Sequence, residues 1–337
     1  MIRKVDLPSY KLDSHLYKRF DERRTIFGRM VNDTNASFYK KGMYDNIRTI
    51  LSKKKTDYSR IELAQVLGAW TVYDYFHGAF SWEELKNSRS VMSKPFLEKY
   101  TVEEPTYMSE KVKETARMYG ANLVGICEVD QKWLYSHDIL GNAIEIPAEF
   151  KYAIIMAIAM DTNVIKSSPS FAACRVTALG YSQMAFCIAS IAEFIRSLGY
   201  RAIPMGNDTA LSIPLAIDAG LGELGRNGLL ITPEFGPCIR LCKVFTDLPL
   251  EIDKPVSFGV TDFCKRCRKC IDACEVGAIQ GWSEPSYDVV SPSNNNGILR
   301  WPVNHDRCYS FWLENGGECS NCIAVCPFME NVLNNLE

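Results

Sequence analysis

Neither sign of charge is in excess in this sequence. Its 337 residues include 38 Lys and Arg against 40 Asp and Glu, a formal net charge of -2. Proteins that bind nucleic acid through its phosphates usually present a basic excess. The basic residues near the start, in "KRFDERR" and at 53–55, are most simply a solvated face. The sequence therefore predicts no nucleic-acid partner.

A long uncharged apolar run is also missing. No segment reaches the ~20 apolar residues of a membrane span, because Asp74 and His77 interrupt one apolar window and Ser182 and Gln183 interrupt another. The start, "MIRKVDLPSYKLDSHL", has no apolar core, no small-residue cleavage site and no twin-arginine pair. We expect either a cytoplasmic protein or a mature form stripped of an export leader, with a peripheral position at the membrane left open.

The composition, 47% hydrophobic and 23% charged, is that of a globular protein with a sizeable core. We divide the chain into a helical and loop segment at 1–108 that packs on the core, a core at 109–255 and a small domain at 256–337. In the core, strands such as "KYAIIMAIAM" alternate with helices, the longest from 172 to 198 with Gly199 as its cap. Such alternation predicts a layered α/β or α+β core.

Cysteine, in contrast, is abundant, with 13 residues, most of them in the last quarter of the chain. Two runs of four, the first in "FCKRCRKCIDACEVGAIQ", have the spacings C-x2-C-x2-C-x3-C and C-x10-C-x2-C-x3-C-P. They resemble the runs of two-cluster ferredoxins, in which the fourth cysteine of each run binds the other 4Fe-4S cube. The predicted ligand sets are Cys264, Cys267, Cys270 with Cys326, and Cys319, Cys322, Cys308 with Cys274.

Two details depart from the ferredoxin pattern. Glu275 follows Cys274 where proline is usual, and ten residues separate Cys308 from Cys319 without removing a ligand. Zinc is the alternative, since paired CxxC motifs also form closed tetrahedral sites, but the C-x3-C step on both sides favours clusters. The other five cysteines are Cys127, Cys174 and Cys187, predicted to be buried, and Cys238 and Cys242, which stay unassigned.

The segment "GLGELG", from Gly220 to Gly225, matches the G-x-G-x-x-G fingerprint of dinucleotide-binding proteins, and Asp247 follows about twenty residues on. The context is unfavourable. The glycines follow a helical pattern, and "RNGLLITPEFGP" after them predicts strand and turn rather than the helix that would hold pyrophosphate. Backbone packed against another large flat ligand is the preferred interpretation.

The motifs "GYSQMAF", "GNDTA", "GLGELGRNG" and "PCIRLCKVFTDL", followed by the cysteine runs, resemble in this order the corrinoid-dependent reductive dehalogenases. The resemblance extends from about residue 109 to the C-terminus, and "YKRFDERRTIFGRM" looks like the start of a mature member. It implies an α+β fold with a nitroreductase-like, cobalamin-binding core, an N-terminal helical segment and a C-terminal ferredoxin-like domain. Base-off cobalamin and two 4Fe-4S clusters would be the cofactors.

By the same resemblance, Tyr181 in "GYS" corresponds to the proton donor and Arg240 in "PCIRLCK" to the cation that stabilises its phenolate. Asn207 in "GNDTA" corresponds to a third polar residue, a neutral donor for the departing halide or developing charge. The predicted corrinoid contacts are Ser212, Gly220, Gly222, Gly225 and Asn227.

The four histidines agree with a cobalt that has no histidine ligand. None stands in a D-x-H-x-x-G motif; His15 begins one after Asp13, but Lys18 occupies the glycine position. The pocket walls are expected to come partly from N-terminal aromatics, each of which is equally plausible as a core residue: Phe38, Trp70 and Tyr73.

The resemblance implies reductive removal of halogen from an organohalide, with electrons from a low-potential donor and with the Cys308 set as the cluster nearer to cobalt. A membrane anchor protein is compatible with it, and the oligomeric state is open, a homodimer included. One alternative is an enzyme like epoxyqueuosine reductase, which also pairs base-off cobalamin with two clusters but acts on tRNA. The other is a non-catalytic iron-sulfur electron carrier.

Overall fold

A computed structural model describes residues 2–53, 55–76 and 99–330. Its strands are β1 (Arg3–Lys4), β2 (Leu123–Glu128), β3 (Tyr152–Ala159), β4 (Ala202–Met205), β5 (Glu223–Leu224), β6 (Leu230–Ile231), β7 (Ile239–Thr246) and β8 (Val256–Ser257). Its helices are α1 (Ile26–Asn32), α2 (Ile47–Ser52), α3 (Arg60–Phe76), α4 (Pro105–Met118), α5 (Thr162–Ile165), α6 (Phe171–Ser197), α7 (Ser212–Asp218), α8 (Val260–Arg266), α9 (Lys269–Asp272), α10 (His305–Asn315) and α11 (Asn321–Ala324).

The core is built on one antiparallel sheet with the strand order β2-β3-β7-β4. Strand β3 is apolar throughout because both of its faces are buried. Ile154 and Met156 pack with α4 and α6 on one face, whereas Ala153 and Ile155 pack with α7 on the other. The core is therefore a sheet between helices, which confirms the predicted mixture of helix and sheet.

Helix α6 crosses one whole face of this sheet. Ser170 caps its start by accepting a hydrogen bond from the amide of Ala173, and Gly199 ends it with a φ of 85°. In the described part of the chain, this helix alone has the length and apolar composition of a membrane span, and 56% of its most apolar window is buried inside the protein. That burial is what a core helix shows.

The N-terminal segment is attached to the core along its described length. Strand β1 pairs with β8, so Arg3 lies opposite Ser257. Tyr10 and Tyr17 pack edge-on against Trp133, with ring centroids 5.0 and 5.5 Å away. Helix α4 begins before the predicted boundary at 109 and packs into the core. Residues 77–98 of the predicted segment, and with them His77, lie outside the described residues.

The "GLGELG" segment forms a hairpin and not a nucleotide-binding turn. Gly220 ends α7 with a φ of 75°, and β5 pairs with β6 immediately afterwards. A Cβ at Gly220 would stand 2.4 Å from the carbonyl oxygen of Lys254, and one at Gly222 would stand 2.1 Å from that of Ile231. The glycines are thus required by close backbone approaches within the chain.

The described part of the cysteine-rich domain contains the short helices α8 to α11, and it is joined to the hairpin by Arg226. This arginine is 1% exposed, and its guanidinium donates hydrogen bonds to the carbonyl oxygens of Cys264 (2.8 Å), Gln280 (3.1 Å) and Trp282 (2.7 Å). It also lies over the ring of Trp301, 4.3 Å from the centroid. Arg226 thereby fixes the domain against the core.

Candidate active site and cluster-binding cysteines

Three predicted site residues, carried by three different elements, meet at one point. Tyr181 lies in the middle of α6, Arg240 near the start of β7, and Asn207 in the loop between β4 and α7. The Asn207 amide nitrogen donates a hydrogen bond of 3.0 Å to the Tyr181 hydroxyl. The Arg240 guanidinium carbon lies 5.3 Å from the centroid of the Tyr181 ring. The phenol is thus contacted by an amide donor and by a cation.

The residues before Tyr181 make room for Arg240 and hold it. Gly180 has no side chain where the Arg240 stem crosses α6; a Cβ there would stand 3.0 Å from Arg240 Cγ. Thr177, one turn earlier, accepts a hydrogen bond of 3.0 Å from Arg240 Nη2. The Nε atom of Arg240 is buried without a hydrogen-bond partner.

The loop that carries Asn207 is anchored by a buried lysine that sequence reasoning missed, because no motif marks it. Lys243, 0% exposed, lies on the opposite face of β7 from Arg240 and donates hydrogen bonds to the carbonyl oxygens of Gly206 (2.7 Å) and Asp208 (3.1 Å), on either side of Asn207. A third goes to Ser212 Oγ at 3.1 Å. Burial lowers the pKa of Lys243 to about 8, with the nearby charge of Asp208 opposing the shift.

Two of the three predicted wall aromatics belong to the site. Trp70 stacks on Tyr181 with a centroid distance of 5.0 Å and an interplanar angle of 26°, and Tyr73 meets the same ring at 5.2 Å. Phe38 does not join them, because it is 1% exposed and packs against Tyr309 of α10 at 5.3 Å. For Phe38 the core interpretation is the correct one.

Glu318 is a second residue that sequence reasoning missed. It is 5% exposed, and neither carboxyl oxygen has a hydrogen-bond partner. Burial raises the pKa of Glu318, and the nearby Cys174, Arg240 and Trp70 act in the opposite direction. Cys174 Sγ also donates to the backbone carbonyl of Glu318 at 3.3 Å. A glutamate beside a cysteine ligand, in "GGECSNC", looks like a surface loop residue in sequence, which is why no signal identified it.

The first predicted set of cysteines surrounds a small cavity. Cys264, Cys267, Cys270 and Cys326 line it together with Arg226, Asn227 and Phe263. Burial raises the pKa of Cys326 to about 12, and the charges of the other three thiols contribute in the same direction. The structure therefore brings together the four residues that the cross-over pattern pairs.

The second set also converges. Burial raises the pKa of Cys308 to about 12, and the nearby charges of Cys319 and Cys274 add to this shift. The pKa of the half-buried Cys322 is raised by burial and in turn by the charges of Cys308, Cys319 and Cys274. Among the described residues, no three His, Cys, Asp or Glu side chains are close enough to hold a single metal ion. Each thiolate of a cube binds a different iron, so its ligands stand further apart than the four of one zinc ion. The donor sets therefore fit two cubes better than zinc.

The five cysteines outside the two ligand sets are shielded from solvent by the residues around them. All five are buried, as predicted for three of them, and burial raises the pKa of every thiol in the group: Cys127, Cys174, Cys187, Cys238 and Cys242. None of these five residues lies in either ligand set, and a buried, un-ionised thiol is a poor nucleophile, so they are packing elements.

The residues predicted to contact a corrinoid have partners within the chain. Ser212 Oγ accepts from Lys243, and Asn227 donates to the carbonyl of Cys322 at 3.3 Å and lines the first cysteine cavity. A Cβ at Gly225 would stand 2.8 Å from Ile231 Cδ1, the end of a side chain that can turn away, whereas one at Gly220 or Gly222 would meet a backbone carbonyl oxygen. Close backbone approach within the chain therefore explains Gly220 and Gly222, and contact of any of these five residues with a corrinoid stays a prediction.

Of the described histidines, two lie beside polar side chains and the third is exposed at the surface. His137 Nδ1 lies 3.1 Å from Ser136 Oγ, and His305 Nδ1 lies 3.1 Å from Asn294 Nδ2, where burial lowers its pKa to about 4. His15 is exposed, beside Lys18 and Arg19. None of the three contacts Tyr181, so the polar groups that the structure places at the phenol are an amide and a guanidinium.

The side chains of Tyr181, Arg240 and Asn207 suit a reaction that releases an anion. A phenol can give a proton, and an adjacent cation and amide donor stabilise negative charge. None of the three groups carries electrons, so a redox reaction here requires a cofactor. The two cysteine sets, one of which includes Cys319 directly after Glu318, supply the ligands for such a relay.

Comparison with known proteins agrees with this arrangement. A family model described as a 4Fe-4S dicluster domain matches residues 263–329, which hold all eight cysteines of the two sets. The tetrachloroethene reductive dehalogenase of Desulfitobacterium hafniense is 38% identical over 295 residues, which cover 74% of this chain and 53% of the relative. That of Sulfurospirillum multivorans is 38% identical over 255 residues, 67% of this chain and 51% of the relative.

The fold has a solved counterpart. A reductive dehalogenase structure described as suggesting a mechanism for B12-dependent dehalogenation matches with a TM-score of 0.76 at 24% identity, over 97% of this chain and 44% of that one. The chain spans about half the length of the curated relatives it matches. On the evidence of the aligned part, which is 74% of its own length, this chain belongs to the reductive dehalogenase family.

Proposed function

We propose that this protein catalyses reductive dehalogenation, in which an organohalide R–X takes up two electrons and one proton to give R–H and a halide ion. The observation that carries the proposal is that Asn207 donates a hydrogen bond to the Tyr181 hydroxyl while Arg240 lies over the ring of the same phenol. The homology to tetrachloroethene reductive dehalogenases supports it. Because the chain spans about half of each relative, the activity is inferred from the site and not transferred by name.

Tyr181 is the proposed proton donor. A phenol can act as a proton donor where a cation and a hydrogen-bond donor stabilise the phenolate that it leaves behind. Arg240 provides the charge over the ring, and Asn207 provides the hydrogen bond to the oxygen. Asn207 is exposed, so the same amide is also available to the departing halide.

The eight cysteines are the proposed ligands of two 4Fe-4S clusters, and the core is the proposed site of a base-off cobalamin. When bound, the clusters would supply electrons one at a time and the cobalamin the low-potential centre that cleaves the carbon-halogen bond. Cys319 directly follows Glu318, whose charge interacts with that of Arg240. This adjacency supports the set with Cys308 as the one nearer to the reacting centre.

The test begins with protein produced anaerobically with a corrinoid supply. About eight iron atoms and one cobalt per chain are expected, together with halide release from a broad organohalide panel when a low-potential donor is added. Eight iron atoms without cobalt, and no halide released, would contradict the proposal and favour an electron carrier. Binding and turnover of a tRNA that contains epoxyqueuosine would favour the alternative of an enzyme like epoxyqueuosine reductase. No contact in the described site supports that alternative.

A further inference from the structure

The turn between β5 and β6 contacts both cysteine sets, with a charged residue on one side and a neutral residue on the other. The Arg226 guanidinium donates hydrogen bonds to the carbonyl oxygen of Cys264, in the first set, from Nε (2.9 Å) and from Nη2 (2.8 Å). The amide of Asn227, the next residue, donates to the carbonyl oxygen of Cys322, in the second set, at 3.3 Å. The two sets therefore differ in the charge that this turn presents to them.

The positive charge of Arg226 is buried without a carboxylate partner. The side chain is 1% exposed, and its hydrogen bonds all go to backbone carbonyl groups, which are neutral. In the part of the chain that the structure describes, no Asp or Glu forms an ion pair with it. Because a guanidinium stays protonated in proteins, Arg226 is a buried cation whose charge is not neutralised by an acidic side chain.

This cation faces the first cysteine set. Arg226 lines the cavity of that set, whose other walls are largely apolar, with Phe263 and Phe328 among them. Burial lowers the pKa of Arg226, and the charges of Cys270 and Cys264 act in the opposite direction. Charges interact far more strongly across an apolar region than through water. A change in the charge held by the first set is therefore felt by Arg226, and the converse holds as well.

The second set has negative neighbours. Burial raises the pKa of Cys319, and the charges of Cys274 and Glu275 add to this shift. A 4Fe-4S cube becomes more negative when it takes up an electron, and its reduction potential depends on the charges and hydrogen bonds around it. A nearby cation favours the reduced cube, and a nearby anion favours the oxidised one. The surroundings therefore favour reduction of a cube in the first set.

We propose that Arg226 raises the reduction potential of the cluster in the first set above that of the cluster in the second, so that the first cluster accepts the electron of the donor first. This inference rests on the proposed cluster ligands. The first cluster takes one electron from the low-potential donor and is oxidised again when it passes that electron on. The charge of Arg226 carries this role, whereas its hydrogen bonds carry the anchoring of the domain.

The test is an anaerobic redox titration of the protein loaded with iron and corrinoid, followed by EPR, in which the signal lost in Cys308→Ala identifies the second cluster. Wild type should show the first cluster at the higher potential. In Arg226→Gln, the equilibrium constant for one-electron reduction of the first cluster should fall by at least about tenfold, which is ~59 mV. That of the second cluster should change by less than about threefold. Arg226→Lys keeps the charge and should stay within about threefold of wild type.

Two further variants separate charge from position. Arg268→Gln is the matched control, because Arg268 lies between two ligands of the first set but is exposed to water, which screens its charge. Its effect on the first cluster should stay below about threefold. Glu223 is 3% exposed, and its charge acts on Cys264 in the direction opposite to that of Arg226, with the smaller effect of the two. Glu223→Gln should therefore raise the potential of the first cluster.

Equal shifts in Arg226→Gln and Arg226→Lys would overturn the inference, because they would assign the effect to hydrogen bonds and not to charge. No shift in Arg226→Gln would overturn it as well. If Arg226→Gln does not hold its iron, wild type and Glu223→Gln decide: a second cluster at the higher potential, or no rise in Glu223→Gln, would contradict the inference. These potentials are measured without substrate. Failure of the proposed function is seen separately, as wild-type protein without iron or without halide release.

Discussion

The Arg240 side chain crosses helix α6 at Gly180, where any Cβ would stand 3.0 Å from Arg240 Cγ. A branched side chain at position 180 would push the guanidinium away from Tyr181. We expect Gly180→Val to lower kcat by about 10-fold to 10²-fold, because small displacements of a catalytic group have effects of this size. Anaerobic halide-release kinetics measure it.

Gly68 provides the matched control. It is exposed in helix α3, and a Cβ there would meet nothing within 4 Å. Gly68→Ala should raise the free energy of unfolding by about 1 kcal/mol through helix propensity alone and leave kcat unchanged. Equal kcat in Gly180→Val and wild type would show that Arg240 does not need its observed position.

Tyr181→Phe removes the proposed proton and little else. We expect kcat to fall by about 10²-fold to 10⁴-fold, with iron and cobalt contents unchanged. Tyr200→Phe is the control, because its hydroxyl donates to the carbonyl of Tyr100, outside the contacts of the site. Retained turnover in Tyr181→Phe would assign the proton to another donor.

Lys243→Met tests the anchor of the Asn207 loop. Two effects on stability oppose each other at neutral pH: two buried carbonyl groups lose their donor, at about 1–3 kcal/mol each, while a buried charge that is held at a lowered pKa is removed. The net change in stability should therefore be small. The activity should nevertheless fall, because Asn207 loses its fixed position, and a kcat equal to that of wild type would contradict the anchoring role.

The same substitution predicts a pH dependence. Burial lowers the pKa of Lys243 from 10.5 to about 8, so between these values the unfolded chain binds a proton that the folded chain does not. Wild type should gain stability relative to Lys243→Met as the pH rises through this window, and lose it as the pH falls to about 8. Glu22, whose pKa burial raises to about 7, titrates below the window. Differences in urea midpoint between the two proteins, followed across the window, measure the effect.

Cys308→Ala should remove one cluster ligand and lower the iron content from about eight atoms toward about four per chain. Cys187→Ala is the matched control, because this thiol is fully buried in α6 and outside both ligand sets. It should lose stability by about 1 kcal/mol through the small cavity and keep its iron. Iron analysis and absorbance spectra distinguish the two. Full iron in Cys308→Ala would remove this residue from the ligands.

The local pattern of apolar and capping residues predicted those helices and strands that are buried on all sides. Strand β3 and helix α6 were predicted within a residue or two, because a doubly buried strand is a continuous apolar run and Gly199 marks the end of the helix. The absence of a helix after "GLGELG" likewise followed from the strand-like residues behind it. Such signals lie in neighbouring residues and need no knowledge of the rest of the chain.

Long-range burial escaped prediction. Glu318 and Lys243 are charged residues that look like surface positions, and each is buried only because segments far away in sequence close over it. Phe38 was a candidate wall residue, yet it packs on α10, about 270 positions further along the chain. Pairing of Trp70 with Tyr181 likewise depends on how α3 lies on α6, which no local pattern specifies.

The position of Arg226 has a consequence for electron flow. Its hydrogen bonds to three carbonyl groups of the cysteine-rich domain, and its stacking on Trp301, hold that domain against the β5–β6 hairpin. A carrier that swings would make transfer depend on solvent viscosity. Here the distance from the cysteine sets to the core sheet is fixed. The rate of electron transfer should therefore depend on the difference in reduction potential and not on solvent viscosity.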